Sequence, residues 1–338
     1  MEFKEYTHIN YSDKPKFMEY IRKNGADQGL FYVTPKIHGS NFSLITDGVK
    51  VREAKKSSII GISEDHLGSI TIVERLRECV LRLFSEMQRG TPAIKTIQVY
   101  GELFGGTYPH PDVLKNGKLK KIQKGVFYSP NNERLAYDIK VNGGRFVDAE
   151  EKYELFNNFD VPYIKPVFEG TFDECLKHSN EFQDPIHEYF NLPTIEDNIC
   201  EGVVITPVRE IVIGHSRIIL KSKNEKWREK ANKRKREGSS KIPTVHGPDL
   251  VRAIEEVSLY VTENRWLNVL SHEGEFKDRR QFGSMIKAFS KDVMDDFEDD
   301  NEELLYVLGN AERRVVNKTV SRLTAKIIKE YIPESKDD

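Results

Sequence analysis

The chain has 338 residues, of which 38% are hydrophobic and 31% charged, and its 52 Lys and Arg side chains almost balance its 54 Asp and Glu side chains. No stretch approaches the ~20 consecutive apolar residues that cross a bilayer, and the first residues lack the apolar core of a secretory signal, which predicts a non-secreted protein with no membrane association. Three scattered cysteines, Cys79, Cys175 and Cys200, make neither a disulfide framework nor a zinc site, so the expected compartment is a reducing cytoplasm, the host's if the source is viral.

Charge is distributed unevenly along the chain. The segment from Lys221 to Lys241 contains ten basic residues against three Glu, whereas the segment from Asp292 to Glu303 contains eight acidic residues and no basic one. The acidic run is typical of a solvated surface. The basic run begins inside a strand-like segment, and such a density of positive charge can hold polyphosphate or a nucleic-acid backbone even when the whole protein is nearly neutral.

The first 230 residues are rich in predicted strands. Residues 30–52 predict strands around a glycine-centred segment, with a hairpin turn at Asp47-Gly48. Apolar residues at helical spacing predict one helix over about 65–89. Further short strands are predicted at 96–104, 125–129, 134–141, 202–207, 210–214 and 217–223. Their number and even spacing indicate an α+β domain built on antiparallel sheets.

The last 90 residues have a helical pattern instead. Apolar residues repeat at helical spacing from Leu250 to Val261 and again from Phe282 to Ile327, with Pro248 near the start of the first helix. A chain of this length predicts two domains. We therefore predict a first domain over 1–231, a basic linker over 232–248 and a small helical domain over 249–334.

One lysine, Lys36, lies directly after a predicted strand and three residues before Gly39. A lysine in this position is well placed for a nucleophile, because the glycine lets a ligand approach closely. The alternative is a surface lysine in a turn, which the Lys-x-x-Gly spacing alone favours. Charged residues also stand within or beside apolar strands further on, at Glu102, Asp138, Glu201, Lys221 and Lys223. Because an unpaired charge is costly there, the set favours one shared site for a polyanion and a metal ion over separate structural ion pairs.

The order of these segments and their amino-acid sequences resemble those of a known family. PKIHGSNFS (35–43), VYGELFGG (99–106), LAYDI (135–139), CEGVVI (200–205) and LKSKN (220–224) are similar to motifs I, III, IIIa, IV and V of the covalent nucleotidyltransferases. Among these, KIHGSNFS resembles the RNA ligase 2 family, the phage-type ATP-dependent ligases that seal breaks in double-stranded RNA. YVTENRWLNVLS (260–271) resembles the family's C-terminal domain. The resemblance covers nearly the whole chain and implies an antiparallel-sheet, ATP-grasp-like nucleotidyltransferase domain followed by a small all-helical RNA-docking domain.

The resemblance also implies a mechanism. Lys36 would form a covalent lysyl-AMP from ATP, the AMP would pass to an RNA 5′-phosphate, and a 3′-hydroxyl would displace it. Lys221 and Lys223 would be catalytic by holding phosphates and stabilising charge at the reacting phosphorus. A lysine must lose its proton before it attacks, and neighbouring cations favour the neutral amine.

The implied cofactors are ATP, as AMP donor, and Mg²⁺, with Mn²⁺ as a substitute. Glu201 and Glu102 would bind the metal, a hard ion that prefers oxygen ligands. Tyr137 would stack on adenine, and Asn41 would reach phosphate or sugar. The implied nucleotide-binding residues are Pro35, Lys36, Ile37, Asn41, Lys56, Glu102, Tyr137, Glu201, Lys221 and Lys223.

Two positions depart from the family pattern. Pro35 stands where the family usually has an acidic residue, so only a backbone carbonyl remains there to contact adenine. Lys56 stands where the family usually has an arginine, and lysine keeps the charge but loses the two-pronged grip on phosphate. In the C-terminal domain the resemblance implies that Arg265 and Asp292 bind RNA. The alternative for this pair is an ordinary interhelical salt bridge.

Two other functions compete with RNA ligation. A capping guanylyltransferase or a DNA ligase of the same superfamily would place a β-barrel after motif V, where this sequence has helical periodicity. A non-catalytic RNA-binding protein would use the basic run but leave Lys36, Glu102 and Glu201 without a role. We therefore expect an RNA ligase whose partner is RNA, as a nicked duplex or an RNA/DNA hybrid, and which acts as a monomer.

Overall fold

The computed structural model describes residues 1–61, 64–117, 119, 121–123, 125–214, 216–225, 247–274 and 279–331. The chain divides into two compact units, Met1–Trp227 and Arg228–Asp338. Most of the predicted basic linker, up to residue 246, lies outside the described residues, so the boundaries 1–231, 232–248 and 249–334 stay predictions. Within the part of the chain that is described, no helix combines the length and the apolar character needed to cross a bilayer.

The first unit combines strands and helices. Its strands are β1 (Asn10–Tyr11), β2 (Leu30–Pro35), β3 (Ser40–Thr46), β4 (Val51–Lys55), β5 (Ile97–Thr107), β6 (Ser129–Val141), β7 (Phe168–Thr171), β8 (Gly202–Pro207), β9 (Val212–Ile213), β10 (Ser216–Arg217) and β11 (Leu220–Lys223). Its helices are α1 (Pro15–Lys23), α2 (Ser69–Gly90), α3 (Ala149–Asn158) and α4 (Phe172–Lys177), with a 3₁₀ turn at Ile186–Phe190.

Two larger sheets organise this unit. One has the order β1-β11-β8-β2-β7 and the other the order β4-β3-β5-β6, while β9 and β10 form a separate hairpin. Neighbouring strands pair antiparallel, except that β1 runs parallel to β11. Helix α2 packs its apolar face on the four-stranded sheet, and α1 and α4 pack on the five-stranded sheet, so each sheet has its own buried core.

The N-terminal segment links the two sheets. The backbone of Lys4 exchanges hydrogen bonds with the Gln98 side chain and accepts one from the Tyr100 hydroxyl at 2.8 Å, all on β5. The Tyr6 hydroxyl donates to Asp138 of β6 at 2.7 Å. A few residues later β1 joins the edge of the other sheet beside β11. Residues 4–11 therefore cross from one sheet to the other.

Three sequence predictions differ from the structure. Helix α2 begins at Ser69 rather than near 65, because Leu67 and Gly68 adopt left-handed backbone angles, with φ of 55° and 77°. Residues 126–128 are not a strand, since the amide side chain of Asn198 bonds both the N–H and the carbonyl of Phe127 and takes the place of a neighbouring strand. The predicted strands 210–214 and 217–223 are shortened to the β9–β10 hairpin and β11.

The second unit is helical throughout its described residues. It contains α5 (Pro248–Ser258), α6 (Glu263–Glu273), α7 (Phe282–Asp300), α8 (Glu302–Val307) and α9 (Asn310–Lys329), with a 3₁₀ turn at Arg279–Gln281. Their apolar faces meet in one core around Trp266, Phe289 and Val320, all fully buried. The predicted fold class, α+β with antiparallel sheets followed by a small helical domain, is confirmed.

Candidate active site

A short loop carries the predicted nucleophile between the two sheets. Lys36 follows the last residue of β2, and Ser40 begins β3, so the intervening four residues leave one sheet and enter the other. The Lys36 N–H donates to the Gly202 carbonyl at 2.9 Å, and the His38 N–H donates to the Tyr128 hydroxyl at 2.8 Å. These bonds fix the loop against the five-stranded sheet on one side and a buried aromatic ring on the other.

Glu201 joins this loop to the end of β11. Its Oε2 lies 2.8 Å from Nζ of Lys36, and its Oε1 lies 3.0 Å from Nζ of Lys223. Nδ1 of His38 lies 3.6 Å from the same Oε2. Burial alone would raise the pKa of the Glu201 carboxyl, but the charges of Lys36 and Lys223 outweigh it and hold that pKa well below its usual value. The Glu201 side chain, only 2% exposed, is therefore an anion held between two cations.

Two glycines in the predicted motifs are required by close backbone approach. A Cβ on Gly39 would lie 2.3 Å from the Leu103 carbonyl oxygen of β5. Gly202 has a φ of 149°, and a Cβ there would lie 2.1 Å from the Ser222 carbonyl oxygen. Only glycine fits such contacts. Gly39 thus lets the nucleophile loop lie against β5, and Gly202 lets Glu201 turn beside β11.

The four-stranded sheet supplies the polar groups that face this loop. Asn41 of β3 lies opposite Glu102 of β5 in the strand register, and the Asn41 side-chain amide donates a short hydrogen bond to the Tyr137 hydroxyl of β6. Burial raises the pKa of the Glu102 carboxyl to about 8, although the nearby Lys36 charge acts in the opposite direction. Near neutral pH this carboxyl therefore holds a proton unless a cation replaces it.

A cavity of about 150 Å³ lies between the two sheets. Six of the predicted nucleotide-binding residues line it, namely Pro35, Lys36, Ile37, Asn41, Glu102 and Tyr137. Glu201 joins the group through its ion pair with Lys36, and Lys223 joins it through its ion pair with Glu201. The structure thus brings together the greater part of the site predicted from the sequence.

Besides Lys223, two predicted lysines lie outside the cavity lining. Lys221, half-buried on β11, places its ammonium 4.2 Å from the centre of the Tyr11 ring. Lys56 follows the end of β4 and is exposed, whereas its neighbour Lys55 lies 3.8 Å from Glu64. The phosphate-binding roles of Lys221 and Lys56 stay predictions.

One wall of the cavity is a buried charge cluster that sequence reasoning largely missed. Oδ1 of Asp138 lies 3.1 Å from Nζ of Lys152, and its Oδ2 lies 2.6 Å from Arg217. Arg217 also binds Glu210, and Tyr6 donates to Asp138. Burial would raise the pKa of Asp138, but Arg217 and Lys152 lower it overall. Asp138 stood out in the sequence as a charge within an apolar strand, but no local pattern marked Lys152 or Tyr6.

The predicted RNA-binding pair lies in the helical unit. The Arg265 side chain is only 3% exposed and donates to Asp292 at 2.9 Å and to Asp296 at 2.8 Å. This geometry is the interhelical salt bridge of α6 and α7 that the sequence left as the alternative. Direct RNA contact by Arg265 and Asp292 stays a prediction.

The carboxylates suit a metal ion that arrives with its substrate. Within the described ranges no group of three or more His, Cys, Asp or Glu side chains could hold a metal ion. Mg²⁺ commonly takes one or two carboxylates and completes its shell with water and phosphate oxygens. The half-buried Glu102 carboxyl, which forms no ion pair among the described residues, fits that limited role together with Glu201.

Comparison with known families agrees with this geometry. The model of the RNA ligase family matches residues 29–223, and the model of the T4 RNA ligase 2 C-terminal domain matches residues 247–326. The chain belongs to the RNA ligase family. The resemblance inferred from the sequence motifs is therefore confirmed, and it extends into the helical unit.

Two curated relatives are RNA-editing ligases from trypanosomes. Mitochondrial RNA-editing ligase 1 of Trypanosoma brucei brucei is 30% identical over 240 residues, which cover 62% of this chain and 51% of that protein. This chain therefore spans about half the length of that relative. Mitochondrial RNA-editing ligase 2 of the same organism, strain 927/4 GUTat10.1, is 26% identical over 353 residues, which cover 89% of this chain and 84% of that protein.

Similar solved structures include point mutants of a Naegleria gruberi RNA ligase. A mutant with ATP and Mn has a TM-score of 0.45 and 10% identity, covering 67% of this chain and 57% of that one. A mutant in the apo state has a TM-score of 0.40 and 14% identity, covering 66% and 58%.

Proposed function

We propose that this chain is an ATP-dependent ligase that seals 3′-hydroxyl/5′-phosphate breaks in duplex RNA through lysyl-AMP and RNA-adenylate intermediates. The observation that carries the proposal is the position of Lys36. Lys36 lines the cavity between the sheets, and its Nζ lies 2.8 Å from the Glu201 carboxylate. Membership of the RNA ligase family supports the reaction class.

In the first step the Lys36 ammonium gives up one proton to water, and the resulting neutral amine attacks the α-phosphorus of ATP. A nitrogen–phosphorus bond forms, the bond to the bridging oxygen breaks, and pyrophosphate leaves. Because the pKa of Glu201 is held so low, its carboxylate positions the amine and does not retain the proton that the amine loses. That proton leaves with the pyrophosphate or through water.

Two further steps complete the reaction. An oxygen of the RNA 5′-phosphate attacks the same phosphorus, which breaks the bond to Lys36 and leaves AMP on the RNA. The 3′-hydroxyl then attacks the 5′-phosphate, and AMP departs. Lys223, anchored by Glu201 at 3.0 Å, stabilises the negative charge that accumulates at phosphorus. Lys221 acts from the same strand two residues earlier.

The remaining cavity residues bind the nucleotide. The Tyr137 ring, fixed by the Asn41 amide and by edge contact with Tyr6 at 5.0 Å between ring centres, offers a face for adenine. Glu102 and Glu201 would hold Mg²⁺, which when bound neutralises charge on the triphosphate. A capping enzyme or DNA ligase is the weaker alternative, because the helical unit matches the C-terminal domain of an RNA ligase.

The test is covalent labelling with α-labelled ATP and Mg²⁺. The wild-type chain should acquire acid-sensitive, alkali-stable label, and Lys36→Ala should acquire none while still sealing RNA that already carries a 5′-adenylate. Lys36→Arg is the matched control, since it keeps a cation beside Glu201 but offers no nucleophilic amine. Label on Lys36→Ala would show that the nucleophile lies elsewhere. Nicked RNA duplex, RNA/DNA hybrid and single strands, assayed side by side, then define the substrate.

A further inference from the structure

Helix α9 carries a row of four basic residues that the catalytic proposal does not use. Arg314, Lys318, Arg322 and Lys326 recur at every fourth position, and all four are exposed. We call this row the α9 basic stripe. At a rise of about 1.5 Å per residue, its cations repeat every ~6 Å along the helix and extend over ~18 Å.

The stripe lies opposite the face that holds α9 in its domain. Val316, Val320, Thr324 and Ile328 are the buried residues of the helix, and they recur with the same four-residue spacing. Each stands two positions after a stripe residue, which on an α-helix is about 200° around the axis. The stripe therefore faces solvent while the apolar row packs against the other helices.

Helix α9 itself supplies no carboxylate along this row. From Arg313 to Lys329 the helix contains no Asp or Glu. Among the residues that the structure describes, none of the four stripe side chains forms an ion pair or hydrogen bond. Like charges four residues apart destabilise a helix, so the row works against the stability of α9.

The neighbouring Arg313 shows the contrast. Its guanidinium donates to the carbonyls of Leu305 at 2.6 Å and Leu308 at 3.2 Å, and so it caps the end of α8. Arg265 is likewise engaged inside its own domain. Structural arginines in this unit are thus tied to protein groups, whereas the stripe presents its charges outward.

We propose that the α9 basic stripe binds the phosphate backbone of the RNA duplex that the enzyme seals. The inference rests on the proposed function, because it takes the ligase substrate as the ligand. A row of evenly spaced cations matches a regularly charged polymer, and phosphate contacts hold a duplex without reading its sequence. Duplex RNA is recognised largely by shape and by such backbone contacts.

The test compares full-length proteins in binding to a nicked RNA duplex. The quadruple variant R314A/K318A/R322A/K326A should bind at least about tenfold more weakly at moderate salt, and its slope of log affinity against log salt should be shallower by roughly 0.7–0.9 for each lost contact. The loss should be equal for two duplexes of unrelated sequence. Arg77→Ala/Arg252→Ala removes two exposed charges outside the stripe and should bind like wild type.

Further controls distinguish a failure of the stripe proposal from a failure of the ligase proposal. Alanine suits an exposed helix position, and far-UV circular dichroism checks that the quadruple variant keeps its helices. Its labelling by ATP should equal that of wild type. If wild type labels and seals but the quadruple variant binds duplex RNA equally well, the stripe proposal falls and the ligase proposal stands. If wild type does not label, the ligase proposal falls, while the binding data still decide the stripe. Loss of binding to polyglutamate with unchanged binding to RNA would indicate an acidic protein partner and overturn the proposal.

Discussion

Nζ of Lys36 and Oε2 of Glu201 lie 2.8 Å apart, although the two residues are 165 positions apart in the sequence. The other oxygen of the same carboxylate binds Lys223. One buried anion thus holds cations from the loop after β2 and from β11. Removing the Glu201 carboxylate would leave two ammonium groups without their shared anion and less solvated than in the unfolded chain.

The first prediction concerns this anion. Glu201→Gln should lower the free energy of unfolding by about 3 kcal/mol, because breaking a buried pair by removing one partner strands the remaining charge. It should also lower labelling by ATP by orders of magnitude. Urea denaturation and label uptake measure the two effects. Glu181→Gln, an exposed site, is the matched control, and an unfolding midpoint equal to wild type would contradict the structural role of Glu201.

The second prediction concerns Glu102 and pH. Its pKa is raised to about 8 in the folded chain, above the ordinary value of 4.5, so between these values the folded state binds more protons than the unfolded state. The stability of the metal-free protein should therefore fall as pH rises from about 5 to about 8, by on the order of 3 kcal/mol. Glu102→Gln should lack this component. If the stability of both proteins changes equally with pH, the Glu102 carboxyl is not the source of this dependence.

The third prediction concerns Lys56, the position where the family usually has arginine. Lys56→Ala should raise the KM for ATP in the labelling reaction by about tenfold, and Lys56→Arg should match or improve on wild type through the two-pronged phosphate contact. Lys55→Ala, which removes the adjacent lysine near Glu64, is the control. Equal ATP dependence of all four proteins would identify Lys56 as an ordinary surface lysine.

The fourth prediction concerns the buried bridge in the helical unit. Arg265→Ala should destabilise this unit by about 3 kcal/mol, because Asp292 and Asp296 lose a shared cation. Arg265→Lys should lose less, since it keeps the charge. Thermal unfolding followed by circular dichroism measures both. If Arg265→Ala unfolds like wild type yet fails to pass AMP to nicked RNA, the residue contacts RNA instead of holding α6 to α7.

The fifth prediction separates the two units. A fragment of residues 1–241 contains the Lys36, Glu201 and Lys223 cluster and both sheet cores, so it should form lysyl-AMP with ATP. Transfer of AMP to a nick should fall by at least about a hundredfold, because the fragment lacks the contacts that the helical unit would make with the RNA phosphate backbone. Label on protein and label on RNA are the two readouts. Efficient sealing by the fragment would make the helical unit dispensable.

Much of the cavity could be predicted from the sequence because its residues lie in short sequence motifs at the ends of strands. Glu201 and Lys223 stood out as charges beside apolar strands, where the cost of burial demands a partner. Lys152 gave no such signal, since a lysine in a charged amphipathic helix is ordinarily exposed. Its burial depends on Asp138, and no local pattern specifies that pairing. The predicted strand at 125–129 failed for a similar reason, because Asn198, some 70 positions away, supplies its hydrogen bonds.

The position of the N-terminal segment affects the order in which parts of the protein can fold. Residues 4–11 are synthesised first, yet their partners are Gln98, Asp138 and the strand beginning at Leu220. Contacts this distant in sequence form only after the intervening chain has been closed into a loop. The segment cannot complete its contacts until β11 has been synthesised. Within the first unit we expect the four-stranded sheet to fold first and the wall of the cavity at Tyr6 to form last.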